Sequence, residues 1–317
     1  MSAVLTSGFV TRAPIRDDAQ MIADLIAVYD LAVMGEVVFD LSNVLRDWDA
    51  PRFDLAQDAR VVVAPDGSIV AYETLYHVDA NGLISTDGYV HPDHVGQGIA
   101  SHLLVWAEAR ARSRLPEFEE DLGVTLKAGF SSNDQRAYPL FAALGYSAIR
   151  HYWNMQIEMQ KAPPAPVWAD RLSVRNFDPD QDHYAVWYAI NDSFGQHWGM
   201  APISFEDWMT NESGDFIPEL SFLAMAGGEV AGVVLCNYHM GNGKVLWLGV
   251  RPAWRRLGLG MALLHHTFAE FYRRGTTTVE LRVDAENVTG ATRVYERAGM
   301  RVTHRFDIYG KELRAGR

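Results

Sequence analysis

Apolar and polar positions fall into short runs that alternate between strand and helix periods, and the same order of runs occurs twice along the chain. In the first half, residues 10–15 read as extended. Ile22, Leu25, Ile26 and Tyr29 then recur at helical spacing, which predicts a helix over 17–30. Runs 60–64 and 69–76 flank Pro65-Asp66-Gly67, a turn that predicts a hairpin. A strand over 83–90, a helix over 99–112, a strand over 124–130, a helix over 135–144 and a mostly extended stretch over 146–159 complete this half. In the second half 172–175 is extended and 182–193 helical. A hairpin over 222–226 and 229–238 turns at Gly227-Gly228. A strand (245–250), helix (259–273), strand (278–283), helix (289–297) and final strand (300–309) follow. Each half therefore reads as α+β, a mixed and mostly antiparallel sheet flanked by helices.

The recurrence extends to residue identities. Val90-His-Pro-Asp-His-Val-Gly-Gln-Gly-Ile-Ala-Ser-His-Leu-Leu104 aligns without gaps on Val250-Arg-Pro-Ala-Trp-Arg-Arg-Leu-Gly-Leu-Gly-Met-Ala-Leu-Leu264, 160 residues later. Downstream, Asn133, Ala137, Phe141 and Gly145 fall on Asn287, Ala291, Tyr295 and Gly299, 154 residues later. A period of this length means duplicated domains, not a solenoid. Residues 161–167 carry three prolines, which remove amide donors and stiffen the backbone. A linker is expected there, with domains over 1–162 and 163–317.

Composition narrows the classes. The chain has 317 residues, 48% of them hydrophobic and 21% charged, which suits two soluble globular cores. A net charge of -12 disfavours nucleic-acid binding and is compatible with a cationic amine partner. Cys236 is the single cysteine, so no internal disulfide forms, and no metal site is expected. Residues 1–10 lack the pattern of a signal peptide and no long apolar run occurs, so a cytoplasmic protein without a membrane span is expected.

The loop 251–258 joins a strand to a helix, where unpaired amides and the positive end of the helix dipole suit phosphate. Gly258 and Gly260 permit close approach to the backbone, and Arg255 and Arg256 add charge. A Walker loop would need Gly-Lys-Ser/Thr, and a dinucleotide fingerprint would need three spaced glycines; neither is present. Arg255-Arg-Leu-Gly-Leu-Gly260 fits the remaining scheme, Gln/Arg-x-x-Gly-x-Gly/Ala. In Val95-Gly-Gln-Gly-Ile-Ala100, Val95 stands where Gln or Arg is usual.

These loops resemble those of the GCN5-related N-acetyltransferase (GNAT) superfamily. The segment Asn287-Val-Thr-Gly-Ala-Thr-Arg-Val-Tyr-Glu-Arg-Ala-Gly-Met300 is similar to that family's Asn-x-x-(x)-Ala-x-x-Leu-Tyr-x-x-x-Gly-Phe. The resemblance implies two tandem GNAT domains, acetyl-CoA as co-substrate, and an amine of a small molecule, amino sugar or peptide as acceptor. It implies cofactor contacts at Leu248, Gly249, Val250, Arg255, Arg256, Leu257, Gly258, Leu259, Gly260 and Asn287. In the first copy the corresponding contacts are Val90, Gly96, Gly98, Ile99 and Ala100. The layout is similar to that of the mycothiol synthases, two-domain members of the family. Antibiotic or natural-product acetylation and a non-catalytic acyl-CoA sensor are the alternatives.

Acyl transfer needs a donor for the developing oxyanion, a base for the amine and an acid for the leaving thiolate. Tyr295 matches the family tyrosine that faces the coenzyme A sulfur; the alternative is a core aromatic on an apolar stripe. Phe141 stands there in the first copy and donates nothing, with Tyr138 three residues earlier. The N-terminal domain is therefore expected to be non-catalytic and the C-terminal domain catalytic. Gly249 is expected to mark a bulge that frees an amide, and Asn287 is either a contact to the pantetheine arm or a helix cap. The glutamate with which the mycothiol synthases begin this strand is Lys244 here, a departure from their pattern. His239, Asp192 and Glu212 are the candidate bases, and an amine already partly deprotonated or a water chain would remove the need for one. Trp187, Tyr188, Phe194, Trp198, Phe205 and Trp208 are either core or the wall of an acceptor pocket. A monomer or a homodimer is compatible with a tandem chain.

Overall fold

The computed structural model describes residues 5, 8–78, 82–195, 197, 198, 200, 202–212, 216–287 and 289–316. The chain divides into two compact units, Met1–His151 with Arg305–Arg317, and Tyr152–His304.

Unit 1 runs β1 (Val10–Arg12), α1 (Ala19–Met34), α2 (Leu41–Trp48), α3 (Leu55–Asp58), β2 (Ala59–Val63), β3 (Ile69–Val78), β4 (Leu83–Val90), α4 (Ile99–Ser113), β5 (Val124–Ser131), α5 (Ala137–Ala143) and the start of β6 (Ser147–Glu158). Neighbouring strands follow the order β1-β2-β3-β4-β5, antiparallel except for the parallel β4/β5 pair. Helices α1 and α2 bury Ile22, Ile26, Val44 and Trp48 against Val61 and Tyr72. Helices α4 and α5 bury Leu104, Ala107 and Phe141 with Leu126 and Phe130.

Unit 2 runs from the rest of β6 through β7 (Leu172–Asn176), α6 (His183–Phe194), α7 (Phe205–Asp207), β8 (Phe222–Ala226), β9 (Glu229–His239), β10 (Asn242–Val250), α8 (Leu259–Arg273), β11 (Thr278–Asp284), α9 (Ala291–Arg297) and the start of β12 (Arg301–Arg314). Its strand order is β6-β11-β10-β9-β8-β7, with β10/β11 parallel. Helices α8 and α9 pack Leu263, Phe268, Phe271 and Tyr295 on Val234, Val279 and Leu281. On the opposite sheet face α6 packs Val186 and Ile190 on Val233 and Leu235.

Nearly every element predicted by periodicity is present, so the α+β class and the duplication hold. Helix α2 is an addition to the periodicity reading, although Leu41, Val44, Leu45 and Trp48 have helical spacing. Asp40 caps it by accepting from Ser42 N at 2.8 Å and Asn43 N at 3.2 Å, while Asp40 N donates to Asn43 Oδ1.

The compact units divide the chain differently from the proline-based cut at 163. Residues 161–167 are irregular, as a linker should be, but ladder bonds outside the linker decide where each strand belongs. The later part of β12 pairs with β5, from Phe306↔Ser131 to Arg314↔Val124, and so serves unit 1. The later part of β6 pairs with β11, from Asp284↔Tyr152 to Thr278↔Glu158, and serves unit 2. Each pairing satisfies backbone groups that would otherwise stand unbonded at the edge of β5 or β11. Among the described residues, no helix is long and apolar enough to cross a membrane.

Candidate functional site

In unit 2, β10 and β11 are in register only from Gly243↔Val279 to Val245↔Leu281. The register of β10 against β9 shifts between Val245 and Trp247, so Leu246 is the extra residue of a bulge. The bulge therefore sits three residues before Gly249, where it was expected. Gly249 itself pairs regularly with Val233. It serves close packing instead, because a Cβ there would meet Ser193 at 3.0 Å and Phe194 at 3.2 Å.

Beyond the bulge β10 continues along β9 to Val250 and enters the loop. Gly258 caps α8 with φ +78 and no side-chain hydrogen bond, which leaves the first-turn amides open to an anion. Leu257 is exposed beside it, Leu259 starts the helix and is buried, and Gly260 is the helix's second residue. The two arginines have separate roles. Arg255 turns inward, Nε donating to Val250 O at 3.1 Å and Nη2 to Ser193 O at 2.9 Å, and so clamps α6 to the end of β10. Arg256 is exposed, adopts φ +66 and makes no ion pair among the described residues, so its cation is available to phosphate.

Tyr295 lies on α9 with its ring in the core, 7% exposed. Its hydroxyl has no hydrogen-bond partner among the described residues and is not sealed from solvent. Burial pushes the phenol up to about 12, so it keeps its proton at neutral pH. Asn287 Oδ1 accepts from Thr289 N at 2.7 Å and from the Thr289 hydroxyl, a local turn ahead of α9. The N-cap of α9 is Gly290, with no side-chain hydrogen bond, so Asn287 is not that helix's cap.

Strand alternation sets a second face, opposite the α8/α9 core. It carries Asn237 and His239 of β9, Lys244 of β10, Glu280 and Arg282 of β11, and Tyr152 and Asn154 of β6. Glu280 is the register partner of Lys244, and its Oε1 lies 3.1 Å from His239 Nδ1. Arg282 stacks over the Tyr152 ring at 5.1 Å. Phe194 and Trp247 meet edge to face at 5.1 Å and border this surface beside the bulge. The other two candidate bases fare differently. Asp192 is held by Arg251 Nε at 2.7 Å, with the Arg251 guanidinium 4.8 Å from the Tyr188 and Trp254 rings. The Glu212 side chain lies outside the described ones. Of the aromatic group, Trp208 is fully buried core, whereas Tyr188 and Phe205 keep exposed edges.

Unit 1 repeats the architecture with other chemistry. Strands β4 and β5 are in register only from Leu83↔Thr125 to Thr86↔Ala128. Val90, Gly96, Gly98, Ile99, Ala100 and Phe141 all line a cavity of 410 Å³ between them. Gly96 and Gly98 have φ +81 and +78. Phe141 stacks on Phe130 at 5.1 Å. Tyr138 is committed elsewhere: its hydroxyl donates to Asp307 Oδ2, and Asp307 Oδ1 also lies 2.6 Å from His151 Nδ1. Glu73, on the cavity wall, is a site residue that sequence reasoning misses. Its only signal there is an acid inside the apolar run 69–76.

Comparison with known proteins identifies the family and the fold. Residues 163–300 match the family model described as acetyltransferase (GNAT) family, and residues 57–148 match the acetyltransferase (GNAT) domain. A mycothiol acetyltransferase of Streptomyces bingchenggensis is 32% identical over 255 residues, covering 77% of each chain. Its Streptomyces scabiei counterpart is 31% identical, covering 76% of this chain and 75% of its own. The crystal structure of a GCN5-related N-acetyltransferase from Sphaerobacter thermophilus superposes with a TM-score of 0.88 at 37% identity, covering 99% of this chain and 98% of that one. A tandem GNAT protein from the clavulanic acid biosynthesis pathway shares the fold, with a TM-score of 0.74 at 18% identity over 96% of this chain and 98% of its own.

Proposed function

The chain belongs to the GNAT acetyltransferase family and is an acetyl-CoA-dependent N-acetyltransferase, and from that premise we propose that unit 2 performs the transfer while unit 1 keeps a cofactor-type slot without turnover. One observation carries the division. The unit whose bulge falls on the strand leading into the loop, at Leu246 of β10, also has a phenol, Tyr295, at the position where the other unit, whose register shift falls on β3 between Leu75 and Val78, has Phe141.

In this reading the loop at Arg256–Gly260 holds the pyrophosphate of acetyl-CoA, and the arm lies in the gap between β10 and β11. A backbone amide freed at the Leu246 bulge meets the thioester carbonyl and stabilises the oxyanion. The amine attacks from the polar face, and the His239–Glu280 pair takes its proton. Collapse of the tetrahedral adduct expels the thiolate, which Tyr295 protonates.

The acceptor is a small, hydroxyl-rich primary amine. Supporting this are the polar side chains of the acceptor face and the similarity to mycothiol acetyltransferases. The departure at Lys244 is accommodated by moving the carboxylate one strand over, to Glu280.

The test is steady-state thiol release with acetyl-CoA and a panel of amines that includes the unacetylated form of mycothiol. Tyr295→Phe is expected to lower kcat by on the order of 10²-fold or more with little change in the KM for acetyl-CoA. Phe141→Tyr should leave turnover unchanged. Full activity in Tyr295→Phe, or loss of activity on disabling the unit 1 loop alone, would move the chemistry out of unit 2.

A further inference from the structure

The 410 Å³ cavity of unit 1 has no part in the transfer assigned to unit 2. At one end stand the positive-φ glycines of the 96–98 loop and the uncapped amides of the 15-residue helix α4. At the other end is Glu73, 4% exposed. The carboxyl occupies the space above Gly88, its register partner: a Cβ on residue 88 would stand 2.1 Å from Glu73 Oε2. In unit 2 the pair at the same place is Leu248 and Val234, both apolar. A carboxyl has replaced hydrocarbon in one copy of the slot.

The hydrogen bonding of Glu73 defines what it can still do. Thr86 Oγ1 lies 2.6 Å from Glu73 Oε1 and 2.8 Å from Thr74 O. One hydroxyl hydrogen cannot serve both acceptors. A neutral acid whose own O–H donates to Thr86 satisfies both contacts. Burial, opposed by the Thr86 bond, pushes the group up to about 8, consistent with that proton. Oε2 is then a carbonyl oxygen with no partner among the described residues, open to the cavity on a side chain that is otherwise buried. It requires a donor.

We propose that this slot binds the free thiol form of coenzyme A in preference to acetyl-CoA, with Glu73 Oε2 accepting from the S–H. The inference rests on the reading that unit 1 keeps a pantetheine slot. A thioester offers no donor and adds an acetyl group against the carboxyl, so it leaves a buried acceptor unpaired. The slot therefore fills as turnover converts acetyl-CoA to product.

The experiment is calorimetric titration of the full chain carrying Gly258→Asp, which closes the unit 2 loop by bulk and repulsion. CoA, acetyl-CoA and desulfo-CoA are the probes, with circular dichroism confirming the fold. CoA should bind about tenfold more tightly than either of the others, the loss expected for one hydrogen bond to a buried acceptor. Adding Glu73→Val, the unit 2 residue, should bring the ratio close to one. Equal binding of all three probes with Glu73 intact, or a preference that survives Glu73→Val, overturns the proposal. Should Glu73→Val fail to fold, the desulfo-CoA comparison decides alone. If the folded Gly258→Asp chain binds no probe, the pantetheine-slot reading fails and this inference with it. The assignment of turnover to unit 2 is judged separately by Tyr295→Phe.

Discussion

Two buried titratable groups, Tyr295 and Glu73, show what burial does to a proton. The phenol at about 12 stays neutral, which suits a group that donates to a thiolate. Glu73 makes stability depend on pH. Its folded value is about 8 against an ordinary 4.5, so between those values the folded state binds more protons than the unfolded one. Stability therefore falls as pH rises from 4.5 to 8 and is flat with respect to this group above 8. Glu73→Gln keeps the shape and removes the ionisation. Its stability relative to wild type should rise between pH 5 and pH 8 by a few kcal/mol, since each tenfold change in proton affinity is worth about 1.4 kcal/mol. Denaturant melts at the two pH values check this, and a constant difference would mean that Glu73 is ionised in the fold. The tyrosine is legible from the repeat, because alignment of the two copies sets it opposite Phe141. The glutamate's position is not, since a strand's period tells which face a residue takes but not whether a helix covers that face.

The informative element is the strand–loop–helix junction, present in both units with the same backbone and different residues. Gly96 and Arg256 occupy equivalent positions and both have positive φ. Arginine pays for that conformation where glycine does not, by roughly 1 kcal/mol. Arg256→Gly should relieve that strain but also loosen the unfolded chain, so unfolding free energy should change by less than about 1 kcal/mol. The KM for acetyl-CoA should rise several-fold as the exposed cation is lost. Matched denaturation and kinetic measurements separate the two effects. The junction is readable because its glycines and proline are local signals. The bulge is not: Gly249 looks like its marker, yet the ladder slips at Leu246, set by pairing with β9. A related reason hides α2, whose capping box is local but whose length of eight residues leaves little periodic signal.

For the whole molecule, the prolines at 161–167 suggest that the chain could be cut into two folded halves. Strand pairing says otherwise. A fragment of residues 1–162 lacks the stretch of β12 that pairs with β5, and a fragment of 163–317 lacks the stretch of β6 that pairs with β11. Each half alone should be poorly soluble, with an exposed strand edge. The two expressed together should recover a folded product by exchanging these segments. Soluble, cooperatively melting single halves would show that the exchanged strands are dispensable. This part of the fold is invisible to sequence patterning, because β12 reads equally well as the last strand of either domain. Lys311 shows what distinguishes them, its Nζ reaching Glu108 of α4 at 2.6 Å, more than 200 positions earlier in the chain.

The segment 305–314 also sets an order of events during synthesis. A ribosome extrudes residues 152–304 before it extrudes 305–314, so the unit whose first residue is made later is the first to have all its strands. The N-terminal unit must wait, with the edge of β5 open, until nearly the whole described chain has emerged. Translation pauses within 152–304 would therefore prolong the exposure of unit 1, and a holding chaperone would be needed on unit 1 rather than on unit 2.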